Sequence, residues 1–530
     1  MIEGVKCWPE EMTSKLERFS YKNRTHDIFK TDEKSIYDFF VSSLSKNPDK
    51  ILLIDELGKE YSYEEINKLI NQFSAYLINE AGIKVQDKIA VMLYNSVEFV
   101  VAFLSILKVG ATMIPIPTKF KKLEVDSYGN MIRFDKIIVE EDLKDYFDSK
   151  NLIISVNDGY GFEKYIENSK GVTYPEIKRD YTSAIMFTSG TTSQSKGCEI
   201  RNYNMTHAVK AYEYVLDISD NDIAAIGTPF CYVTGLVAVL GLFIEVGATV
   251  VFQKFFNASK LLDLVKKYDA NFVHASPTVF MKLLECKDKY QEVDSLDMFV
   301  CGASKMPVAK INEIKEWLPK VEFFTVYGLT ETTSPGTIVP SEVYGSYFQG
   351  SSGLPIPGMN VKVLDINTGE ELPHNEVGEI LLTGTNVIAN YYNVTGKIDD
   401  EGWLKTGDLG YYNEKGFLYI VDRVKDMINV GGEKVWSLEI EELIFKIPGV
   451  EEVAVVGVED PLYGEQVASV IRLKKDSSLT KEDISTLLAK EVAKYKIPKI
   501  IEFVEEIPKN KNQKVDKNKI KEFLEVKWQK

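Results

Sequence analysis

The chain has 530 residues, too many for one hydrophobic core, so two or more domains are expected. At 45% hydrophobic and 27% charged it has the composition of an ordinary globular protein, and 63 basic against 79 acidic residues, a net charge of −16, argue against unassisted nucleic-acid or anionic-membrane binding. Five scattered cysteines (Cys7, Cys198, Cys231, Cys286, Cys301) without a CxxC pair and four separated histidines (His26, His207, His274, His374) speak against a disulfide framework or a zinc site and for a reducing cytosol.

Each histidine reads best as a surface or satisfied core residue. The N-terminus is charged early and has no apolar centre, so no signal peptide is expected. Two runs, 99–117 and 234–252, are strongly apolar. Lys108 interrupts the first and Glu245 the second, and each contains a Gly-Ala-Thr turn at Gly110 or Gly247. Each therefore predicts a buried helix followed by a strand, not a membrane span. Their likeness suggests two related α/β lobes, with chance similarity of helix–Gly–strand segments as the alternative.

Residues 181–187 predict a buried strand and 204–215 a helix. Between them lies Thr188-Ser189-Gly190-Thr191-Thr192-Ser193-Gln194-Ser195-Lys196-Gly197. Hydroxyls, the N–H groups of a Gly turn and one ammonium are the parts that hold a polyphosphate. A strand end that delivers such a loop ahead of a helix is the usual phosphate-site setting. Ser195 before Lys196 and Gly197 after it do not fit the Walker pattern. Such runs also form solvated linkers, and the stretch alone leaves both open.

From 272 to 327, strand-like runs (272–275, 298–301, 322–326) alternate with helical patterns (279–287, 308–317), the order of a mostly parallel sheet. Tyr327-Gly328-Leu329-Thr330-Glu331-Thr332 follows the last of them. A carboxylate beside a hydroxyl at a strand end suits Mg²⁺, and a capped turn is the plainer alternative. Short β-like runs between 353 and 419 predict a smaller β-rich lobe. In it Trp403-Leu404-Lys405-Thr406-Gly407-Asp408-Leu409-Gly410 sets Asp408 in a Gly turn, to hold ribose hydroxyls or simply to close the turn. Beyond 421, helices (438–446, 485–493) mixed with strands (452–458, 469–473) predict a small α+β domain after a hinge near Asp422. The basic run from Pro508 to Lys517 reads, on its own, as solvated surface.

Taken in order, these motifs resemble those of the adenylate-forming superfamily: acyl-CoA synthetases, aryl-CoA ligases, peptide-synthetase adenylation domains and firefly luciferases. The resemblance runs from about Phe39 to Phe523. It implies an α/β fold with a large domain, 1–421, made of two related α/β lobes plus a β-rich lobe, and a small mobile α+β domain, 422–530. By resemblance, Thr188, Ser189, Gly190, Thr191, Thr192 and Lys196 form the ATP phosphate loop, Lys196 steadying the outgoing pyrophosphate. Gly302, Ala303 and Ser304 form the adenine side, where Tyr327 stacks beside Gly328, and Tyr419 adds to the nucleotide site. Thr330 binds phosphate, Glu331 holds Mg²⁺, and Asp408 grips the ribose with Arg423 assisting. Lys425 is the hinge pivot, Gly431 and Gly432 meet the pantetheine thiol, and Lys514 is the catalytic lysine alongside Glu331 and Thr330.

The chain departs from the family pattern at Ser193, Ser195 and Gln513, and at Tyr232, where many members have His. The acyl pocket is expected to be lined by Phe230, Tyr232, Ala303, Val326 and Gly328. No Asp lies near 230–233 to pair an α-amino group, and glycine at 328, where acetate-activating members have Trp, leaves space. The implied function is activation of a fatty or aromatic acid larger than acetate to acyl-AMP, then transfer to coenzyme A, with ATP, Mg²⁺ and CoA as co-substrates. Loading of a separate acyl carrier protein and a non-catalytic nucleotide-binding role are the alternatives. The implied location is cytoplasmic, without a membrane span or a nucleic-acid partner; a homodimer is left open.

Overall fold

The computed structural model describes residues 1–147, 153–156, 172–188, 195–340, 350–394, 398–510 and 515–528. Among these residues the strands form sheets of six, nine, five, two and five. The six-stranded sheet is parallel through Thr112–Pro115, Lys88–Met92, Lys136–Glu140 and Ile153–Val156, and ends in the antiparallel pair Thr182–Thr188 and Lys196–Arg201. The nine-stranded sheet has a parallel centre, in spatial order Glu322–Tyr327, Met298–Cys301, Phe272–Ala275, Ile223–Ile226, Thr249–Phe252 and Ile51–Ile54. Strands covered on both faces read as apolar runs, which is why these segments are legible in the sequence.

The two apolar runs fall one in each sheet. The helix Val97–Lys108 turns at Gly110 (φ +71) into Thr112–Pro115. The second run is π-helical over Thr234–Gly241 and α-helical over Leu242–Val246, and turns at Gly247 (φ +78) into Thr249–Phe252. Glycine reaches these left-handed angles without strain. The interrupting charges are accommodated: Lys108 binds the Asn71 amide oxygen and lies 4.1 Å from the Tyr174 ring centroid, and Glu245 pairs with Lys210. No described helix is long and apolar enough to cross a membrane.

The β-rich lobe is an antiparallel sheet of Ile2–Glu3, Met359–Leu364, Gly378–Gly384, Leu404–Tyr412 and Leu418–Arg423. The segment expected as a Gly turn around Asp408 is thus inside a strand. In the C-terminal part, the hairpin Val450–Asp460 and Gly464–Leu473 packs under the helix Ser437–Phe445, with Ile500–Phe503 added in parallel. The next helix is Lys481–Leu488, earlier than the expected 485–493, because the Thr480 hydroxyl accepts from Asp483 N and starts it.

Candidate active site

A cleft of about 1840 Å³ runs between the ends of the nine-stranded sheet, the β-rich lobe and the C-terminal part. Thr188 lines it at the end of its strand. Thr188 stands opposite Lys196 in antiparallel register, so the expected strand–loop–helix is a strand hairpin, and the helix Asn202–Leu216 begins only after the second strand. The strand was missed because Gly197 interrupts its pattern; a Cβ there would come 2.9 Å from Ile185 Cγ2, so glycine lets the hairpin close. Ser189, Gly190, Thr191 and Thr192 lie outside the described residues, as do Ser193 and Gln194. Lys196 is not among the residues that line the cleft; its ammonium lies 5.5 Å from the Tyr391 ring centroid, and the Tyr391 hydroxyl donates to Glu331 Oε1 over 3.0 Å.

Two parallel strands deliver the next groups. After Met298–Cys301, Gly302, Ala303 and Ser304 line the cleft, and Ala303 is held at φ +72, a strained angle for a residue with a Cβ. After Glu322–Tyr327, a short 3₁₀ turn, Thr330–Thr332, puts Thr330 and Glu331 on the cleft. The Thr332 hydroxyl accepts from Leu329 N at 2.9 Å and fixes that turn. Burial and the neighbouring Asp408 carboxylate push the Tyr327 phenol well above its usual range, so it remains a donor.

The Tyr327 phenol donates to Asp408 Oδ2 at 2.7 Å, and Arg423 Nε donates to Asp408 Oδ1 at 3.1 Å. A β-bulge aims the carboxylate: Glu379 pairs with Leu409 and Leu381 with Lys405, which leaves an irregularity around Gly407 (φ +76). The Asp408 side chain is 6% exposed and that of Arg423 41%, so the pair is a buried anion with a solvent-facing cation. Tyr419 is elsewhere. It stacks on Tyr411 with centroids 5.0 Å apart, and its neighbour Ile420 lines the cleft instead.

The acyl wall also differs from expectation. Tyr232, Val326 and Ala303 line the cleft, but Phe230 is fully buried against Phe99 and Phe252, and Cys231 lines in its place. Asn95 fixes this turn by donating to Thr228 O at 3.1 Å and accepting from Phe230 N at 2.8 Å. Tyr232 carries the Lys119 ammonium 5.5 Å from its ring centroid. Gly328 is not a space-making residue. A Cβ there would collide with the Ser334 carbonyl and come 3.1 Å from Gly336 N, so glycine serves a close backbone approach. Sequence reasoning also passed over His274 and Tyr212, which line the cleft from a core strand and a core helix and look like packing residues in the sequence.

At the junction with the C-terminal part, Asp422 is buried and accepts from Ser437 N and, at 3.0 Å, from Ser437 Oγ; burial raises its carboxyl above the usual range. Lys517 donates to Ser437 Oγ at 2.6 Å and pairs with Glu441 at 2.9 Å, so this end of the basic run is buried structure, not solvated surface. Lys425 follows in a turn, 3.9 Å from Asp426. Gly431 (φ +62) and Gly432 (φ +96) form the tight turn between Ile428–Val430 and Glu433–Val435 and do not line the cleft. Lys514 lies outside the described residues; Asn510 and Val515 on either side of it line the cleft.

A magnesium ion fits the Glu331 corner. The protein donors there are hard oxygens, Glu331 with the hydroxyl of Thr330, and no described group of three or more His, Cys, Asp or Glu is gathered into a cage of its own. That suits an ion that keeps water and takes substrate phosphate oxygens.

A buried carboxylate gripped by a tyrosine and an arginine, a second carboxylate in a strand-end turn and Thr188 at the end of a hairpin strand, all on one cleft, define an adenylate-forming enzyme. The AMP-binding enzyme profile matches residues 40–392, and the AMP-binding enzyme C-terminal domain matches 439–514. The chain belongs to the AMP-binding enzyme family. It is 31% identical over 503 residues to 4-coumarate–CoA ligase-like 6 of Arabidopsis thaliana, covering 89% of this chain and 88% of the relative. Among solved structures, ATP-bound MatB from Rhodopseudomonas palustris superposes with a TM-score of 0.86 at 26% identity, over 93% of this chain and 99% of the other. The o-succinylbenzoate coenzyme A synthetase MenE of Bacillus subtilis, in complex with ATP and magnesium ion, gives 0.80 at 25% identity, over 91% and 99%.

Proposed function

We propose that this ATP-dependent acid–CoA ligase activates a fatty or aromatic carboxylic acid larger than acetate, forming acyl-AMP with loss of pyrophosphate before transfer to the thiol of coenzyme A. The observation that carries the reading is the Tyr327–Asp408–Arg423 set beside Glu331 and Thr330 on one cleft. Asp408 accepts the ribose hydroxyls while Arg423 and Tyr327 hold its orientation. Thr330 and the hairpin between Thr188 and Lys196 meet the phosphates, with Glu331 as the ligand for magnesium, which lends positive charge to the phosphate oxygens when bound. Acid and ATP are both anions, so their approach requires cations; Lys514 supplies one at the reacting carboxylate and Lys196 one near the departing pyrophosphate.

An acid larger than acetate fits the apolar wall at Val326 and Tyr232; Gly328 adds no space to it. The boundary between the two domains is assigned to 421/422. Lys425 is the pivot that exchanges Lys514 for the Gly431–Gly432 turn, which is away from the cleft in the conformation described. Five free cysteines are consistent with a cytoplasmic location. A carrier-protein thiol is the alternative acceptor. Incubation with MgATP, a set of acids and either coenzyme A or an acyl carrier protein, followed by mass analysis of the product, tests the reading. Acyl-CoA supports it, acyl-carrier protein without acyl-CoA moves the acceptor, and absence of both contradicts it.

A further inference from the structure

Two histidines are almost wholly buried, and their surroundings differ. Burial lowers both imidazoles to about 3, so both are neutral at ordinary pH. His207 is satisfied at both nitrogens: Nδ1 accepts from Phe29 N at 3.2 Å, which leaves the Nε2 proton to donate to Pro357 O at 3.0 Å. His274 is 1% exposed, and its Nδ1 finds no hydrogen-bond partner among the described residues.

The His274 ring lines the cleft. It rises from the strand Phe272–Ala275, in register with Val300, and its Nε2 lies beneath Gly302, 3.4 Å from where a Cβ would stand. Tyr212 meets the ring edge-on with centroids 5.8 Å apart, but the Tyr212 hydroxyl is already paired with Ser334 Oγ at 2.9 Å. Val326 completes this wall. A neutral imidazole carries one donor and one acceptor, and leaving one unpaired in a buried wall is unfavourable when a core residue of similar size would pack there without penalty.

We propose that His274 is a specificity-determining residue of the acyl pocket, forming a hydrogen bond to a hydroxyl on the carboxylic acid, so that the enzyme's acid is a hydroxylated one. A hydroxyl both donates and accepts, so it satisfies either tautomer of the ring. A second carboxylate would bring a charge against a neutral ring. The inference rests on reading the chain as an acid–CoA ligase whose acyl group occupies this part of the cleft.

The test compares paired acids that differ by one hydroxyl: benzoate with 4-hydroxybenzoate, cinnamate with 4-hydroxycinnamate, octanoate with 8-hydroxyoctanoate. Pyrophosphate release with MgATP and CoA is measured for the wild type, His274→Leu and His274→Asn. The expected result is a kcat/KM ratio favouring the hydroxylated acid by roughly tenfold to a hundredfold in at least one pair. His274→Leu brings that ratio towards one, and His274→Asn, whose amide restores a donor and an acceptor, keeps most of it. Which pair responds separates aromatic from aliphatic acids. Wild-type ratios near one in every pair that turns over overturn the inference and leave the ligase reading intact; this holds even if neither variant folds. A His274→Leu enzyme that slows both members equally also overturns it, as a packing role would. No release with any acid contradicts the ligase reading and the inference together.

Discussion

The phenol of Tyr327 donates to Asp408 Oδ2 over 2.7 Å and joins elements 81 residues apart. It leaves Asp408 Oδ1 to Arg423 Nε. The carboxylate is held from two sides before any nucleotide arrives, which removes orientational freedom that binding would otherwise have to restrict.

Asp408→Ala is therefore expected to raise the Kd for ATP by roughly tenfold to a hundredfold. Tyr327→Phe, which keeps the ring and loses only the donor, should raise it less. Calorimetric titration with ATP checks both. Equal ATP affinity in Asp408→Ala and wild type would remove Asp408 from the nucleotide site.

Glu331 is aligned by the Tyr391 hydroxyl at 3.0 Å. Glu331→Gln is expected to lower kcat by about 10²- to 10³-fold, and Tyr391→Phe to raise the magnesium concentration needed for half-maximal rate while changing kcat little. Magnesium titrations of steady-state rate distinguish the two. An unaltered magnesium dependence in Glu331→Gln would contradict its role as ligand.

Gly328 adjoins the Ser334 carbonyl with no room for a side chain. Gly328→Ala should destabilise the protein by about 1–3 kcal/mol or more, seen as a lower denaturation midpoint. Its preference among acids of different length should stay as in the wild type. A stable Gly328→Ala or Gly328→Trp protein with a narrowed substrate range would restore the space-making role that the geometry removes.

Glu213, Lys210 and Glu245 form a half-buried group between neighbouring helices. Burial, and then the Glu245 charge, raise the Glu213 carboxyl from 4.5 to about 7, against the pull of Lys210. The native state thus keeps a proton that the unfolded chain releases, so stability from this group is present below 4.5 and declines as pH rises towards 7. Glu213→Gln should flatten that decline in denaturant midpoints measured from about pH 5 to about pH 8. Identical slopes in variant and wild type would show that Glu213 titrates normally.

Lys514→Ala is expected to abolish acyl-AMP formation almost completely yet spare thioester formation from supplied acyl-AMP. Equal loss of both half-reactions would refute its assignment to the first.

Order and type of the large elements were legible because parallel strands are continuous apolar runs, and because Gly110 and Gly247 punctuate helix ends. What was missed has local causes. Gly197 hid the second strand of the hairpin, and a bulge at Gly407 disguised the strand that carries Asp408. Tyr391 reaches Glu331 from 60 residues away, a pairing that no spacing encodes. Phe230 and Tyr419 were placed in the site by motif position, whereas strand and turn geometry point them into the core and onto Tyr411. The sequence does not tell a surface histidine from a satisfied core one or from His274; His207 is the satisfied core case, and the partners that decide it come from distant segments.

The central claim is acid-dependent adenylation, and its most direct measurement is nucleotide product analysis with MgATP, CoA and a panel of carboxylic acids. The account predicts AMP and pyrophosphate in equal amounts, formed only when a suitable acid is present and matched by acyl-CoA. ADP and phosphate as products, or ATP turnover indifferent to every acid, would contradict it.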